Sequence, residues 1–350
     1  MALHLDFHAL HSVPVSNLNS DMSRMPKTAT FGGVQRARVS SQSWNAAIRE
    51  HLTEEQNIEH GYRTRDILGL IGEHDPKAAE GLGKILADKS NKVLLFDTKT
   101  KQLKSTFFFT PSHLDALTTL GRTGTSEVSK ALAAIVTDKT NVPIDVALFG
   151  STLAALPEAN VSSVGAAMHA LSTHEVNLEF DEFVGMDDAA DRNFGAHLGV
   201  NDFLSATFYR FHTINLDEMR ETVGPDRVSA AIRAFTRAFA EAVPAGRRGT
   251  FNADTRPDLL LALIRQGRPE PYVNAFEYPV APSGRGYVAP SVDALEDYHE
   301  THCATWGAPV DGWLVNTVTT TGTRFPYTTS ATFGHLLDVI GDRSAGLVAP

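Results

Sequence analysis

Between Asn19 and Arg49 the sequence reads NSDMSRMPKTATFGGVQRARVSSQSWNAAIR. The cations Arg24, Lys27, Arg36, Arg38 and Arg49 fall in this stretch, and after Asp21 it holds no acid. Gly32-Gly33 lies in its middle, and Ser40, Ser41, Gln42 and Ser43 stand where a helix begins. Cationic side chains, backbone amides at a helix start and short polar groups are what a phosphate backbone needs. Arg36 and Arg38 alternate with Gln35 and Ala37, so an extended segment points both the same way, as a two-guanidinium phosphate grip. The glycine pair allows close backbone approach to a ligand. No Gly-Lys-Ser/Thr follows it, so it is not a nucleoside-triphosphate loop.

Other constellations are weaker. Asp21 is the one acid of this loop and could hold a metal for phosphodiester cleavage, although a loop cap is the plainer role. His4, Asp6 and His8 share one face of an alternating strand, and His11 follows. A metal site needs three or four converging ligands, and alternate strand residues stand about 6 to 7 Å apart. That face therefore reads as a polar sheet surface at a subunit or RNA contact. There is no His-Glu-x-x-His, and no Ser/His/Asp or Cys/His arrangement stands out. A second basic cluster, Lys84, Lys89, Lys92, Lys99, Lys101 and Lys104 against Asp88 and Asp97, could track a nucleic-acid backbone or be ordinary solvated surface.

The chain has 350 residues, a formal charge of −10, 42% hydrophobic residues and one cysteine, Cys303. The acidic total excludes a generic nucleic-acid coat and requires any such surface to be local. A single cysteine excludes an internal disulfide and fits a reducing cytoplasm. MALHLDFHALHSV is not a signal peptide, and no stretch approaches about 18 apolar residues, so no membrane span is expected.

Residues 3 to 10 alternate as a strand, and 11 to 39 read as a long loop. Helical spacing begins at Ser41. Residues 55 to 140 look like a helix-rich insertion containing strands at 93–97 and 105–111. IDVALFG (144–150) reads as a strand, 151–165 as an exposed excursion, and 202–216 as the clearest strand. An amphipathic helix over 217–243, split at Gly224-Pro225, and a strand at DLLLALIRQG follow. The order suits an α+β sheet of the ferredoxin-like kind with helices on one face.

Several words resemble the CasC family, the backbone subunit of the type I-E CRISPR Cascade complex. They are SNLNSD (16–21), Phe31-Gly32-Gly33, RARVSSQSWNAAIR (36–49), PIDVALFG (143–150), HALSTHEV (169–176), GMDD (185–188), AHLG (196–199) and FYRFHTINL (208–216). The match covers most of residues 1 to 280. The resemblance implies an RNA-recognition-motif-like palm (1–54 and 141–281), a helical finger subdomain (55–140) and a thumb hairpin (about 151–165). It leaves 282–350 without a role. It implies copies stacked head to tail along a CRISPR guide RNA, beside other Cascade subunits, with target DNA pairing to the guide and no catalysis or cofactor. Lys27, Arg38, Ser40, Gln42 and Arg49 match the family's guide-binding block, and Asn45 stands where a basic residue is often found. Leu156 falls near the thumb tip as an apolar wedge, with Leu198 of AHLG opposing it. Lys84, Lys89, Lys99, Lys101 and Lys104 are the candidate DNA-facing patch.

Overall fold

The structure, a computed structural model, describes residues 1–186, 195–284, 286–318 and 322–349, with backbone alone at 183–186 and 195–198. The chain divides into two compact units. The first comprises Met1–His51, Ala167–Thr213 and Ile232–Gly346; the second comprises Leu52–Ala166, Ile214–Ala231 and Leu347–Pro350. No helix among the described residues is long and apolar enough to cross a membrane.

The first unit is built on a mixed sheet. Its elements are β1 (Leu3–Ser16), β2 (Thr28–Phe31), β3 (Val34–Val39), α1 (Ser41–Glu50), β4 (Ala170–Ser172), β5 (Glu179–Met186), β6 (Gly195–Asn215), α2 (Val228–Glu241), β7 (Leu259–Gln266), α3 (Val288–Trp306), β8 (Asp311–Asn316) and β9 (Thr328–Thr329). The strands follow the order β9-β8-β7-β1-β6-β4-β3-β2, and β5 pairs with β6. β1 runs antiparallel to β7, from Leu3 against Gln266 to Leu10 against Leu259. β8 and β9 pair in parallel.

Both faces of β1 are buried. On one face α2 sets Phe235 and Phe239 5.3 and 5.5 Å from the Phe7 ring. Burying such a ring stabilises by roughly 1.5–3 kcal/mol. On the other face Leu10 joins a core with Tyr209, Tyr272, and Val292 and Leu295 of α3. The expectations of a polar outer face and of helices on one side are therefore corrected. Asp6, His8 and His11 are buried. Asp6 Oδ2 accepts the Glu270 N–H at 3.0 Å, and burial raises its carboxyl pKa. His8 shares a 2.8 Å hydrogen bond with the Tyr209 hydroxyl and stacks on Tyr272 at 4.4 Å. Partnered polar groups can be buried, and their polarity hid the second buried face from pattern reading. The segment after 281, left without a role, supplies that cover through α3 and extends the sheet through β8.

One further expectation changes. The 11–39 loop is largely strand, because β1 continues to Ser16 and β2 and β3 form a hairpin around Gly32-Gly33. Phe208 and Tyr209 of β6 are packed inside and offer no aromatic face to a base.

The second unit is helix-rich, with helices Ile67–Gly72, Pro76–Leu86, Pro111–Thr123, Val128–Val136 and Ile144–Phe149. Ile67, Leu82, Phe107, Phe109, Leu117 and Leu132 share its core. Asp75 caps Pro76–Leu86 by accepting the Ala78 N–H, and Thr110 caps Pro111–Thr123 through a capping box with His113. These two helices cross so closely that a Cβ at Gly81 would lie 2.0 Å from the Gly121 carbonyl oxygen. IDVALFG is a helix, not a strand: Pro143 starts it extended, Gly150 ends it at φ 76, and burial all round erases its period. The strand expected at 93–97 shrinks to Phe96–Asp97, paired with Gln102–Leu103, while Phe107–Phe109 pairs with Tyr62–Thr64. This unit reaches beyond 55–140 to include 141–166.

Candidate nucleic-acid interface

Hydrogen bonds tie the loop after β1 to β3 and α1. Asn17 Nδ2 donates to the Arg24 carbonyl at 2.9 Å. Asp21 Oδ1 accepts the Ser23 and Met25 N–H groups at 2.8 and 3.1 Å. The Lys27 N–H donates to the Asn19 carbonyl and the Arg38 N–H to the Lys27 carbonyl, both at 2.9 Å. The Ser40 N–H donates to Asn19 Oδ1 at 3.0 Å. Loop, strand and helix start thus form one surface in the first unit. Arg24 is exposed on it, at φ 67. Lys27 and Arg38 are half-buried.

Arg36 does not belong to that surface. It is fully buried. Its Nε donates to the Phe31 carbonyl at 3.1 Å, Nη1 to Ser172 at 2.9 Å and Nη2 to Phe276 at 2.8 Å. Burial lowers its pKa, opposed by Glu277 and Glu175. Arg36 and Arg38 do share one side of β3, but the 276–277 segment covers that side at Arg36, while Arg38 is only half-buried, so the Arg36 guanidinium clamps the hairpin. Gly32 serves the same contact: a Cβ there would lie 1.7 Å from the Glu277 carbonyl oxygen. Its close approach is to its own chain. Gly33, at φ 80, has nothing within 4 Å of an added Cβ.

α1 forms because Ser40 caps it, its Oγ accepting the Ser43 N–H. Trp44, Ala47 and Ile48 face inward. Gln42 and Arg49, seven residues apart, fall on one outer face, about 10 Å along the axis. Gln42 is exposed and Arg49 half-buried. The helix start offers fewer amides than expected. The Ser43 N–H goes to Ser40, and the Ser41 N–H donates to His169 Nδ1 at 2.8 Å. Reading by spacing missed His169; the one signal was a first turn with no acid to take that amide.

Beneath α1, the Arg210 guanidinium lies 3.6 Å from the Trp44 ring centroid and 4.5 Å from that of Phe239. It donates to His11 Nδ1 at 2.9 Å, so His11 Nε2–H donates to the Thr255 carbonyl, also at 2.9 Å. Burial lowers the Arg210 pKa to about 9. This stack seats the helix through Trp44.

The remaining site residues fall elsewhere. Leu156, expected as a wedge at a hairpin tip, is half-buried and packs on the second unit's core, just before a 3-10 turn at Pro157–Ala159. Its neighbours Leu153 and Ala159 are buried there, which draws it inward. In 151–165 the ends meet through the Ser151–Val161 bridge and the Leu153 N–H, which donates to Asn160 Oδ1 at 2.6 Å; the long hairpin is β5–β6, from Glu179 against Phe203 onward. The Leu198 side chain and residues 187–188 of GMDD lie outside the described residues. Lys84, Lys89, Lys99, Lys101 and Lys104 are all exposed in the second unit. Lys84 pairs with Glu80 at 2.8 Å.

The family model of CT1975-like proteins matches residues 5–338. The chain belongs to that family, in keeping with the CasC resemblance of its opening motifs. It is similar to a solved chain described as "CRISPR RNA-guided surveillance complex, pre-nicking", with a TM-score of 0.86 and 26% identity over 97% of this chain and 100% of that one. A second, described as "CRISPR RNA-guided surveillance complex", has a TM-score of 0.68 and 24% identity over 97% and 99%, and speaks to the fold alone. No curated protein matches.

Proposed function

We propose that this protein is a non-catalytic, guide-RNA-binding backbone subunit of a type I-E Cascade surveillance complex. The observation that carries this reading is the joined surface of Arg24, Lys27, Arg38, Gln42 and Arg49, in a family whose solved relatives are RNA-guided surveillance complexes. Phosphate contacts from this surface hold an extended strand without reading its sequence, and base pairing by the guide supplies specificity. Copies stack head to tail along the guide in the cytoplasm, beside other Cascade subunits, and support pairing with target DNA. The strand order β7-β1-β6-β4, with α1 and α2 as the crossover helices, supports the ferredoxin-like, RNA-recognition-motif-like palm.

The test is RNA binding across a salt series by Lys27→Ala/Arg38→Ala/Arg49→Ala. Losing three single-strand phosphate contacts lowers the slope of log K against log salt by about 2. An unchanged slope and affinity would remove these residues from the site. The rival reading is metal-dependent RNA cleavage through Asp21. Against it stands the engagement of Asp21 Oδ1 with two backbone amides. Regular cuts in complementary RNA with a divalent ion, lost in Asp21→Asn, would establish cleavage instead.

A further inference from the structure

Within the second unit, the strands Tyr62–Thr64 and Phe107–Phe109, the end of helix Ile144–Phe149 and the segments 150–152 and 160–163 enclose a cavity of about 480 Å³. Small-molecule sites span about 300 to 1,000 Å³. Its walls are tied together. Asp145 Oδ1 of the helix accepts the Gly61 N–H at 3.0 Å, just ahead of the first strand. Ser151 and Val161 exchange N–H···O bonds of 2.9 and 3.0 Å. The Ser163 hydroxyl donates to the Leu148 carbonyl near the helix end.

The lining is polar and carries one charge. Arg63 is exposed, lies 5.9 Å from the Phe108 ring centroid and forms no ion pair among the described residues. No carboxylate among the described residues lines the cavity. Thr106, Thr152 and Ser162 add hydroxyls. Ser151 is 5% exposed, and its Oγ is buried without a hydrogen-bond partner. Buried polar atoms are nearly always paired. A hydroxyl left unpaired in the wall of a polar cavity points to a partner that the cavity receives.

A guanidinium with no carboxylate beside it, set among hydroxyls, selects an oxyanion, and phosphate matches its paired N–H groups. A groove that tracks a nucleic-acid strand lines up several cations. One cation in one cavity meets one phosphate. Phe149, half-buried in the lining, adds an aromatic ring for a base.

We propose that this cavity binds a nucleoside monophosphate. Arg63 takes the phosphate, the hydroxyls of Ser151, Thr152 and Ser162 meet phosphate and ribose oxygens, and the Phe149 ring packs on the base. All these residues lie within Leu52–Ala166 and none belongs to the surface assigned to guide RNA, so the proposal does not depend on the guide-RNA reading.

Equilibrium dialysis of radiolabelled adenosine 5′-monophosphate against the full chain, free and loaded with guide RNA, tests it. Binding should saturate and persist in the loaded state. Arg63→Gln should weaken it about tenfold or more, the loss of a charge-assisted contact. Ser151→Ala should weaken it about threefold with no fall in melting temperature, because the hydroxyl has no partner in the chain itself. Adenosine and inorganic phosphate should each compete at least about tenfold less well than the nucleotide. Absence of saturable binding, or binding that Arg63→Gln leaves intact, overturns the proposal. Displacement of the nucleotide by guide RNA overturns it as well, since the cavity then holds a strand. Inorganic phosphate competing as well as the nucleotide overturns the nucleoside assignment. Failure to take up guide RNA while nucleotide binding persists sinks the guide-RNA reading and leaves this site standing.

Discussion

The two candidate basic surfaces, one in each unit, are built differently. In the first unit Lys27, Arg38 and Arg49 are half-buried, and the backbone beneath Lys27 and Arg38 is hydrogen-bonded to β3 or to the loop after β1. In the second unit Lys84 ends a helix, Lys99 and Lys101 occupy a tight hairpin turn, and all five candidate lysines are exposed. A cation with its stem packed has fewer orientations to lose when it meets a phosphate. A freely solvated lysine contributes charge and little geometry. The first surface can therefore hold a strand in register, while the second can only add attraction. The basic stretch of the first unit also turned one of its arginines, Arg36, inward, which no residue of the lysine patch does.

That inward arginine is where the comparison breaks most sharply. Arg36→Met leaves the Phe31, Ser172 and Phe276 carbonyls without their donor. It should lower stability by roughly 3 kcal/mol or more, read as a lower urea midpoint. If the loss stays below about 1 kcal/mol and RNA affinity drops instead, Arg36 belongs to the binding surface after all.

Acid should come next. Burial lowers the pKa of His11 and His212 to about 3 and of His299 to about 4. The unfolded chain binds protons at these sites below about 6.5, whereas the folded chain does so only near 3 to 4. Their contribution is thus complete above 6.5 and is lost as pH falls. Between pH 6.5 and 5 each histidine should withdraw about 2 kcal/mol. Asp6 and Asp258, whose pKa values burial raises, work in the opposite direction. Urea titrations of the full chain at these two pH values check the sum. A variant with His212→Phe should show a flatter dependence.

Arg210→Met comes third. It removes the cation from between Trp44 and Phe239 and the donor to His11, while keeping much of the volume. We expect a loss of about 1 to 2 kcal/mol in stability, together with weaker RNA binding because α1 is less firmly seated. Circular dichroism melting and RNA titration on the same sample measure both. RNA binding that stays unchanged despite a lowered melting temperature would detach the stack from the interface.

The smallest effect is expected from Lys99→Ala/Lys101→Ala/Lys104→Ala. Stability should move by less than about 0.5 kcal/mol per site, and guide-RNA affinity should hold. If the patch faces target DNA, the salt slope of DNA capture by the assembled complex should fall by about 0.9 for each contact. A guide-RNA defect in this variant would erase the distinction between the two surfaces.

Much of the organisation was legible. The helix at Ser41 followed from its cap and its apolar spacing, and both are observed. The split at Gly224-Pro225 was marked by residues whose backbone limits act locally, and the strand at 259–266 by its apolar run. Pattern reading failed where burial was complete on every side. The helix Ile144–Phe149 shows no period, and the two-sided burial of β1 was masked by Asp6, His8 and His11. The candidate site was legible as a basic stretch, but which of its cations point outward was not.

By itself, then, the sequence determined the family words, the local caps and turns, and the place of the basic stretch, because each depends on neighbours a few residues apart. Only the tertiary structure decided that Arg36 is a clamp, that His169 takes an amide of α1 and that Leu156 is packed inward. Those outcomes depend on segments far away in the chain. Residues 276–277 lie some 240 positions from Arg36, and His169 lies 128 from Ser41. Whether a cation meets solvent or a row of carbonyls is settled by what packs against it, and residue type and spacing carry no record of that partner.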